Sequence, residues 1–583
     1  MIPVIVIFVY LAIIAYIGSI AFRRGKENTE DFFLASRTVG SMVFFLSIFA
    51  TNMTAFAILG SSGQSYRQGI GIYGLMASSS GLVIPLTIFF IGTRLWALGK
   101  RFGHQTQVGF FRDRWECDTI GTVIFALSAF MLIPYMIISI MGGGTVLADI
   151  SSAQGSHDPL IPYWLGCGVV AVVVTVNVFF GGMRGTVWVN IFQTLLFLLF
   201  GLVAVLVISQ HLPKSLSASI SDIASNPKTR YLVTRERMPL ELFWSYTLIP
   251  LSSIMFPHMA IMCFSAKKVT AFKRTVILYP IAIMAIWLPC VFLGMLGTQV
   301  VPGLKDPDGV LLRLLDQNAP VWLAGILGAG IISAVMGSDA HQVLAMSTMF
   351  TKDIFSHYGG REKYGEKSAV HFARGFILVV TAAAYAVALY LKEKQGIFEV
   401  AIRFAFSGFA AMAPVMIAAL FWKRSTKWGA LASTLFVGGT LLLFALLQGP
   451  PVTPPAPAKT AAAPVAKGTN ELAFISAANT TNAVAVSDHP ATKPDSAKPA
   501  AKSPAGSPAP FAPPARPIWK IGEGKDATLI LSLAANGDVR FLGGYMTVVP
   551  MVFGSAILMI LFSLLTPPPS RKTIEKYFSK KTT

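Results

Sequence analysis

Apolar residues in this 583-residue chain come in runs of about 20, separated by short polar turns. A helix rising 1.5 Å per residue needs about 20 such residues to cross 30 Å of hydrocarbon. Runs of that length fall near 2–22, 40–62, 70–98, 119–148, 162–180, 186–209, 241–264, 275–300, 319–350, 369–391, 396–422, 428–449 and 544–565. The pattern predicts an all-α polytopic membrane protein with about thirteen spanning helices. The first run lacks a basic segment before it and a small-residue cleavage site after it, so it reads as a retained helix and not a signal peptide.

The second run is irregular. SIFATNMTAFAILGSSG, Ser47 to Gly63, places Thr51, Asn52, Thr54, several serines and two glycines where hydrocarbon is expected. Each unpaired polar group there costs several kcal/mol, and non-helical backbone at that depth is tolerated only inside protein or beside a water-filled cavity. The pattern therefore points to a path for a solute or an ion.

The loops set the expected orientation. Arg23, Arg24, Lys26 and Arg37; Arg94, Lys100, Arg101, Arg112 and Arg114; Lys267, Lys268, Lys273 and Arg274; Lys352, Arg361, Lys363 and Lys367; and Lys423, Arg424, Lys427 and the tail RKTIEKYFSKK all fall on one side. The positive-inside rule makes that side cytoplasmic, with the N-terminus outside and the C-terminus inside. The opposing loop 210–240 also carries Lys214, Lys228, Arg230, Arg235 and Arg237, which its length tolerates because long loops translocate largely regardless of charge. The Pro/Ala/Lys-rich stretch 450–540 has a composition that builds no core and reads as a disordered external linker. Near its end, Asn536-Gly537 between two apolar runs signals a short β-hairpin.

Composition agrees with the class: 54% of residues are hydrophobic and 13% charged, with a mean hydropathy of +0.63. The net charge of +20 could suggest nucleic acid. Its carriers sit in short loops, without the polar domain and interleaved aromatics of a nucleic-acid footprint. Cys117, Cys167, Cys263 and Cys290 are scattered singly and read as buried thiols. The chain has no GxSxG elbow, HExxH, Walker loop or Cys/His metal spacing, so neither an enzyme nor an ATP-driven pump is expected.

Four stretches in order resemble the sodium:solute symporter family, relatives of the proline, pantothenate and glucose carriers. They are EDFFLASRTVGSMVFFLSIFATNMTAF (Glu30 to Phe56), VFFGGMRGTVWVNIFQTLLFLLFG (Val178 to Gly201), GILGAGIISAVMGSDAHQVLAMSTMFTKDIF (Gly325 to Phe355) and GFAAMAPVMIAALFWKRSTKWGALAS (Gly408 to Ser433). The resemblance implies a LeuT-type fold with two inverted five-helix repeats, 40–209 and 241–422, each opening with a discontinuous helix. Flanking them would be a first helix with its loop (1–39), a twelfth helix (423–449), the linker, and a last helix with its basic tail (541–583). It also implies a transported coupling ion, Na+, held by the carbonyls of Ala50, Met53 and Ala334 and by side-chain oxygens at the positions of Gly337 and Ser338. Where relatives commonly offer two adjacent hydroxyls, this chain has Gly337 before Ser338. One ligand is therefore missing, or comes from water, Asn52 or Asp339.

The solute positions implied by the resemblance are Asn52, Thr54, Phe56, Ala57, Tyr135, Ser139, Phe256 and His258. Ser139 stands where relatives carry a glutamine, and Met262 stands where they carry an arginine. Phe56-Ala57 replaces the Glu-Gln pair of the sugar branch, which speaks against a ligand rich in hydroxyls. Plain structural roles compete with each assignment. Ser338 could bond a carbonyl one turn back, Asn52 could join two helices, and the aromatic rings could simply pack. Asp339 and His341 are intramembrane ionisable groups, functional by default, yet two apart on a helix they face different ways and are not read as a pair. The expected function is sodium-coupled symport of a small organic solute across the plasma (inner) membrane by alternating access, with the lipid bilayer as the chain's other partner and no obligatory protein partner. The alternative is a transporter-like sensor that has lost ion coupling. The short basic tail, with no regulatory domain following it, favours transport.

Overall fold

A computed structural model of the chain describes residues 2–23, 29–152, 159–210, 214–304, 306–391, 397, 401–447, 516–521, 528–534 and 538–578. The expected linker therefore lies outside the described residues from 450 to 515, and so do Asn536 and Gly537 at the expected hairpin turn.

Ten helices among the described residues are long and apolar enough to cross a membrane, and two bent helix pairs raise the figure to twelve if each pair is one span. The order is α1 (Ile2–Arg23), the bent pair α2 (Ser41–Asn52) and α3 (Phe56–Gln68), α4 (Gly71–Phe102), the short α5 (Gln107–Trp115), α6 (Asp118–Ser151) and α7 (Tyr163–Gln210). After α8 (Leu216–Ser225) come the second bent pair α9 (Leu240–Met255) and α10 (Pro257–Ser265), then α11 (Thr270–Val300), the short α12 (Val310–Asn318), α13 (Val321–Ser356), α14 (Ser368–Leu391), α15 (Ala401–Phe421), α16 (Lys427–Leu447) and α17 (Val548–Leu565). The basic tail forms α18 (Arg571–Phe578).

The expected count of thirteen is neither reached nor excluded by these figures, because α7 is counted once although its 48 residues cover the two runs anticipated at 162–180 and 186–209. A straight helix of that length would reach about 72 Å, more than twice the hydrocarbon thickness. It is bent at Gly182, whose φ of +51° and ψ of −149° interrupt the helix. A Cβ at Gly182 would stand 2.7 Å from the Phe32 carbonyl oxygen, so glycine there serves both the backbone conformation and the close approach.

Each bent pair is followed by further spans, α4, α6 and α7 after the first and α11, α13, α14 and α15 after the second. The two bends are 61° between α2 and α3 and 51° between α9 and α10. Small residues let neighbours press against the first bend, as is usual where lipid supplies no hydrophobic drive between helices. A Cβ at Gly142 of α6 would lie 2.5 Å from the Ala55 side chain, and one at Gly294 of α11 would lie 2.3 Å from the Ser62 carbonyl oxygen. Of the four cysteines, Cys167, Cys263 and Cys290 are buried, whereas Cys117 is half-exposed because it caps the loop-side start of α6.

A four-stranded antiparallel sheet precedes α17, in the order β1 (Arg516–Ile521), β2 (Thr528–Leu533), β3 (Val539–Phe541) and β4 (Tyr545–Met546). Strand β2 pairs with β3 across the expected hairpin, with Leu533 opposite Val539. Arg516–Ile521, Thr528–Leu533 and Val539–Phe541, at the end of the stretch read from composition as linker, are thus strands, because TLILSL and VRF are richer in β-branched and large apolar residues than the Pro/Ala tract before them. The sheet is tied to the start of α15 by the buried Arg403 guanidinium, which donates to Asp538.

At the opposite end, α18 docks on α5. Lys576 donates to both Asp113 carboxylate oxygens at 2.6 and 2.7 Å, the Tyr577 hydroxyl donates to Asp113, and His104 Nε2 lies 3.2 Å from that hydroxyl. The Arg114 guanidinium covers the Phe578 ring at 5.0 Å. Burial pushes His104 down to about 4, only partly opposed by the Asp113 carboxylate. A folded value below the ordinary one means that the undocked state binds more protons between about 6.5 and 4. Docking of α18 should weaken as pH falls through that window. Hydrogen exchange of residues 571–578, corrected for intrinsic rates, should accelerate from pH 7 to pH 5, and His104→Gln should flatten the response.

Candidate ion and solute site

The site is built on the bend between α2 and α3. Helix α2 ends at Asn52, and Met53 takes extended backbone angles (φ −91°, ψ 107°). Its N–H is shared between the carbonyls of Phe49 at 3.0 Å and Ala50 at 3.2 Å. In an unbroken helix the Ala50 carbonyl would be served by the N–H of Thr54, which here lies beyond the last helical residue. The new start is capped locally: Phe56 N–H donates to Thr54 Oγ1 at 3.1 Å and Ala57 N–H to the Thr54 carbonyl at 2.9 Å. The break therefore satisfies its amide donors locally and replaces the regular i to i+4 ladder at Ala50 by a longer, shared bond.

The facing surface is the middle of α13. Ala334, Gly337 and Ser338 are all buried there, and a Cβ at Gly337 would come within 3.7 Å of the Ala50 side chain. Ser338 Oγ donates to the Val335 carbonyl at 3.3 Å, the local bond that a plain structural role predicts, and it also lies 3.3 Å from Ser139 Oγ of α6. The structure thus brings Ala50, Gly337, Ser338 and Ser139 to one seam among α2, α13 and α6, with Ala334 one turn along α13 and Met53 at the end of α2. A hard cation needs oxygen ligands, and the seam carries backbone carbonyls, a hydroxyl and two buried carboxamide oxygens without a partner, Asn190 Oδ1 and Gln193 Oε1. This donor set fits sodium.

The solute positions gather beside the break. The Tyr135 ring stacks on Phe256 at 4.9 Å and lies 5.6 Å from His258, and Phe256 stacks on His258 at 5.1 Å. Phe406 of α15 closes the group, edge-on to Phe56 at 4.9 Å and to Tyr135 at 5.3 Å. Ala57 and Thr54 are buried on the same turn as Phe56. Among the described residues, neither ring nitrogen of His258 has a hydrogen-bonding partner, and the Tyr135 hydroxyl has only Thr54 beside it. An aromatic enclosure with unpartnered polar atoms is the usual form of a small-molecule site.

Three further residues named from the sequence have these surroundings. Asn52 donates to the Tyr279 hydroxyl of α11 at 2.6 Å, so its amide nitrogen is engaged in joining helices. His341 Nδ1 lies 2.8 Å from Asn190 Nδ2. Asp339 is fully buried with both oxygens unpartnered and makes no contact with His341. The residues that sequence reading left unassigned are Phe406, Tyr279, Asn190 and Gln193. The last two lie in the quoted Val178 to Gly201 stretch, three apart and so on one helical face, which was the available signal.

Two spans broken at mid-depth and meeting intact neighbours define a secondary carrier of the LeuT type. The pattern of the sodium:solute symporter family matches residues 32–438, and the chain belongs to that family. It is 26% identical over 447 residues to the sodium/pantothenate symporter of Escherichia coli, covering 74% of this chain and 88% of that one. It is 24% identical over 449 residues to the high-affinity proline transporter PutP of Bacillus subtilis, covering 74% and 89%. The uncharacterized symporter YhjB of Bacillus subtilis is 25% identical over 374 residues, 63% of this chain and 74% of its own. In fold, the chain is similar to a substrate-bound, outward-open sodium-coupled sialic acid symporter, with a TM-score of 0.61 at 16% identity over 76% of this chain and 91% of that one.

The Tyr135 hydroxyl has one polar neighbour in the fold, Thr54, and the His258 ring nitrogens have none among the described residues. Removing the Tyr135 hydroxyl should cost no more than one hydrogen bond, about 1 kcal/mol. Tyr135→Phe should therefore lower the melting temperature of the purified protein by no more than a few degrees. It should raise the KM for solute about 5- to 10-fold, in line with one lost ligand hydrogen bond.

Proposed function

We propose that this chain carries out sodium-coupled symport of a small organic solute, with the ion at the Ala50, Met53, Ala334 and Ser338 oxygens and the solute against Phe56, Ala57, Tyr135, Phe256, His258 and Phe406. The observation that supports it best is the interruption of the helix at Met53, one turn after Ala50, whose side chain packs on α13 at Gly337 beside Ser338. A cation held by carbonyls at the break would favour the bent form of the α2/α3 pair, linking ion occupancy to the shape of the solute enclosure. The aromatic faces suit a solute with an apolar or planar portion, and the Tyr135 and His258 polar atoms suit a hydrogen-bonding group on it. The relatives named for proline and pantothenate set the size class.

The energetics are adequate. One charge moving through about 100 mV supplies roughly 2.3 kcal/mol, and a tenfold ion gradient adds about 1.4 kcal/mol. Together these concentrate a neutral solute by a few hundredfold. The basic loops support an orientation with the N-terminus outside and α18 in the cytoplasm.

Uptake of candidate radiolabelled metabolites into proteoliposomes should require an inward sodium gradient and collapse when potassium replaces sodium. Accumulation indifferent to the cation would overturn the coupling. Ser338→Ala should raise the sodium concentration for half-maximal uptake several-fold with little change in thermal stability, because among the described residues its hydroxyl makes one long local bond and one contact with Ser139. For the orientation, a membrane-impermeant maleimide on intact cells should modify Ser225→Cys in a cysteine-free background. Lys572→Cys should react only after permeabilisation.

A further inference from the structure

Gly337 removes a side chain from the place where the family resemblance implies an ion-binding hydroxyl. The space is not empty. A Cβ built on Gly337 would find Gln193 Oε1 at 3.2 Å and Asn190 Oδ1 at 3.7 Å, both from the second half of α7. A hydroxyl added to such a Cβ would compete with the Gln193 oxygen for the same volume. Gly337 and Gln193 are therefore alternatives, and this chain has the version in which the oxygen comes from across the helix interface.

The carboxamide is held in an orientation that suits a cation. Gln193 is 1% exposed. Its Nε2 donates to the Tyr10 hydroxyl of α1 at 3.2 Å, and that hydroxyl lies 2.8 Å from Ser333 Oγ, one turn from Gly337 on α13. Ser333 in turn donates to the Ala329 carbonyl at 2.8 Å. With the amide nitrogen committed to Tyr10, Oε1 faces Gly337 and has no partner among the described residues. A buried amide oxygen without a donor is destabilising, and a cation between α2 and α13 would relieve it.

We propose that Gln193 Oε1 is the sodium ligand that replaces the absent side chain at position 337. This rests on the reading of the Ala50, Met53, Ala334 and Ser338 seam as a sodium site, and it adds to that set a residue from α7, so that ion binding ties α7 to both α2 and α13. The amide is neutral, so the exchange of hydroxyl for amide leaves the charge of the loaded site unaltered. The Gln193→Glu variant would not share that property.

The test is binding of 22Na+ to the purified full-length protein by scintillation proximity, with the melting temperature measured with and without sodium. Gln193→Met keeps the side-chain volume and removes the oxygen. It should weaken sodium binding at least tenfold and shrink the sodium-induced rise in melting temperature, with the sodium-free melting temperature near that of the wild type. Gly337→Ser alone should also weaken binding, because the new side chain crowds Oε1. The double variant Gln193→Ala with Gly337→Ser should return to within about threefold of the wild type, the hydroxyl having taken the place of the amide. Sodium affinity unchanged in Gln193→Met, or a double variant no better than Gln193→Ala, would overturn the assignment. Absence of sodium binding in the wild type would instead overturn the ion site itself. If Gln193→Met does not fold, the comparison of Gln193→Ala with its Gly337→Ser partner decides alone.

Discussion

A helix that stops inside hydrocarbon leaves carbonyl groups without donors, and the arrangement around Met53 and Thr54 is organised about that deficit. Lipid offers nothing to hydrogen-bond with, so the break is viable only where protein surrounds it. Gly142 brings α6 against Ala55 in the break, and Gly294 brings α11 almost to backbone contact with Ser62 of the second half. Thr54 supplies the acceptor that the first N–H groups of the second half need. The close packing that makes the break viable thus also shapes the space beside it.

The second break resolves its deficit differently. Helix α9 ends at Met255, and the carbonyl of that residue accepts a 3.0 Å bond from Gln107 Nε2, a buried side chain at the start of α5. Here a side-chain amide does within the fold what the first break leaves to another group. Helix α5 is itself fastened to the end of α13, since Thr106 Oγ1 donates to Asp353 at 2.9 Å and Arg112 donates to the Asp353 carbonyl at 3.0 Å. The two breaks are therefore unequal: one is completed by the chain, the other stands ready for a ligand.

The spans were legible because 20-residue apolar periodicity is a strong signal, and the α2/α3 break was legible because Thr51, Asn52 and Thr54 are conspicuous in such a run. The two runs joined in α7 were legible as separate because Gly181 and Gly182 stand between them, and the helix is interrupted there at Gly182. The strands of 516–541 were partly hidden by the proline-rich tract before them. Within the site, residues of the broken helix and of α13 announced themselves by polarity at membrane depth. Phe406 did not, because an aromatic residue in an apolar run is indistinguishable from packing until its neighbours are known. Gln193 was visible but unassignable, since its relevance depends on facing a glycine 144 positions away, a relation that exists only in three dimensions.

The sheet before α17 is anchored through Asp538 to Arg403, at the first turn of the helix that also carries Phe406 into the solute enclosure. Any tilt of α15 that opens the enclosure must carry the sheet with it or part that ion pair. The sheet lies on the side opposite the basic loops, so it is a lever accessible without entering the membrane. An antibody fragment raised against it would hold the carrier in one posture, giving a handle for trapping intermediates that the buried site itself does not offer.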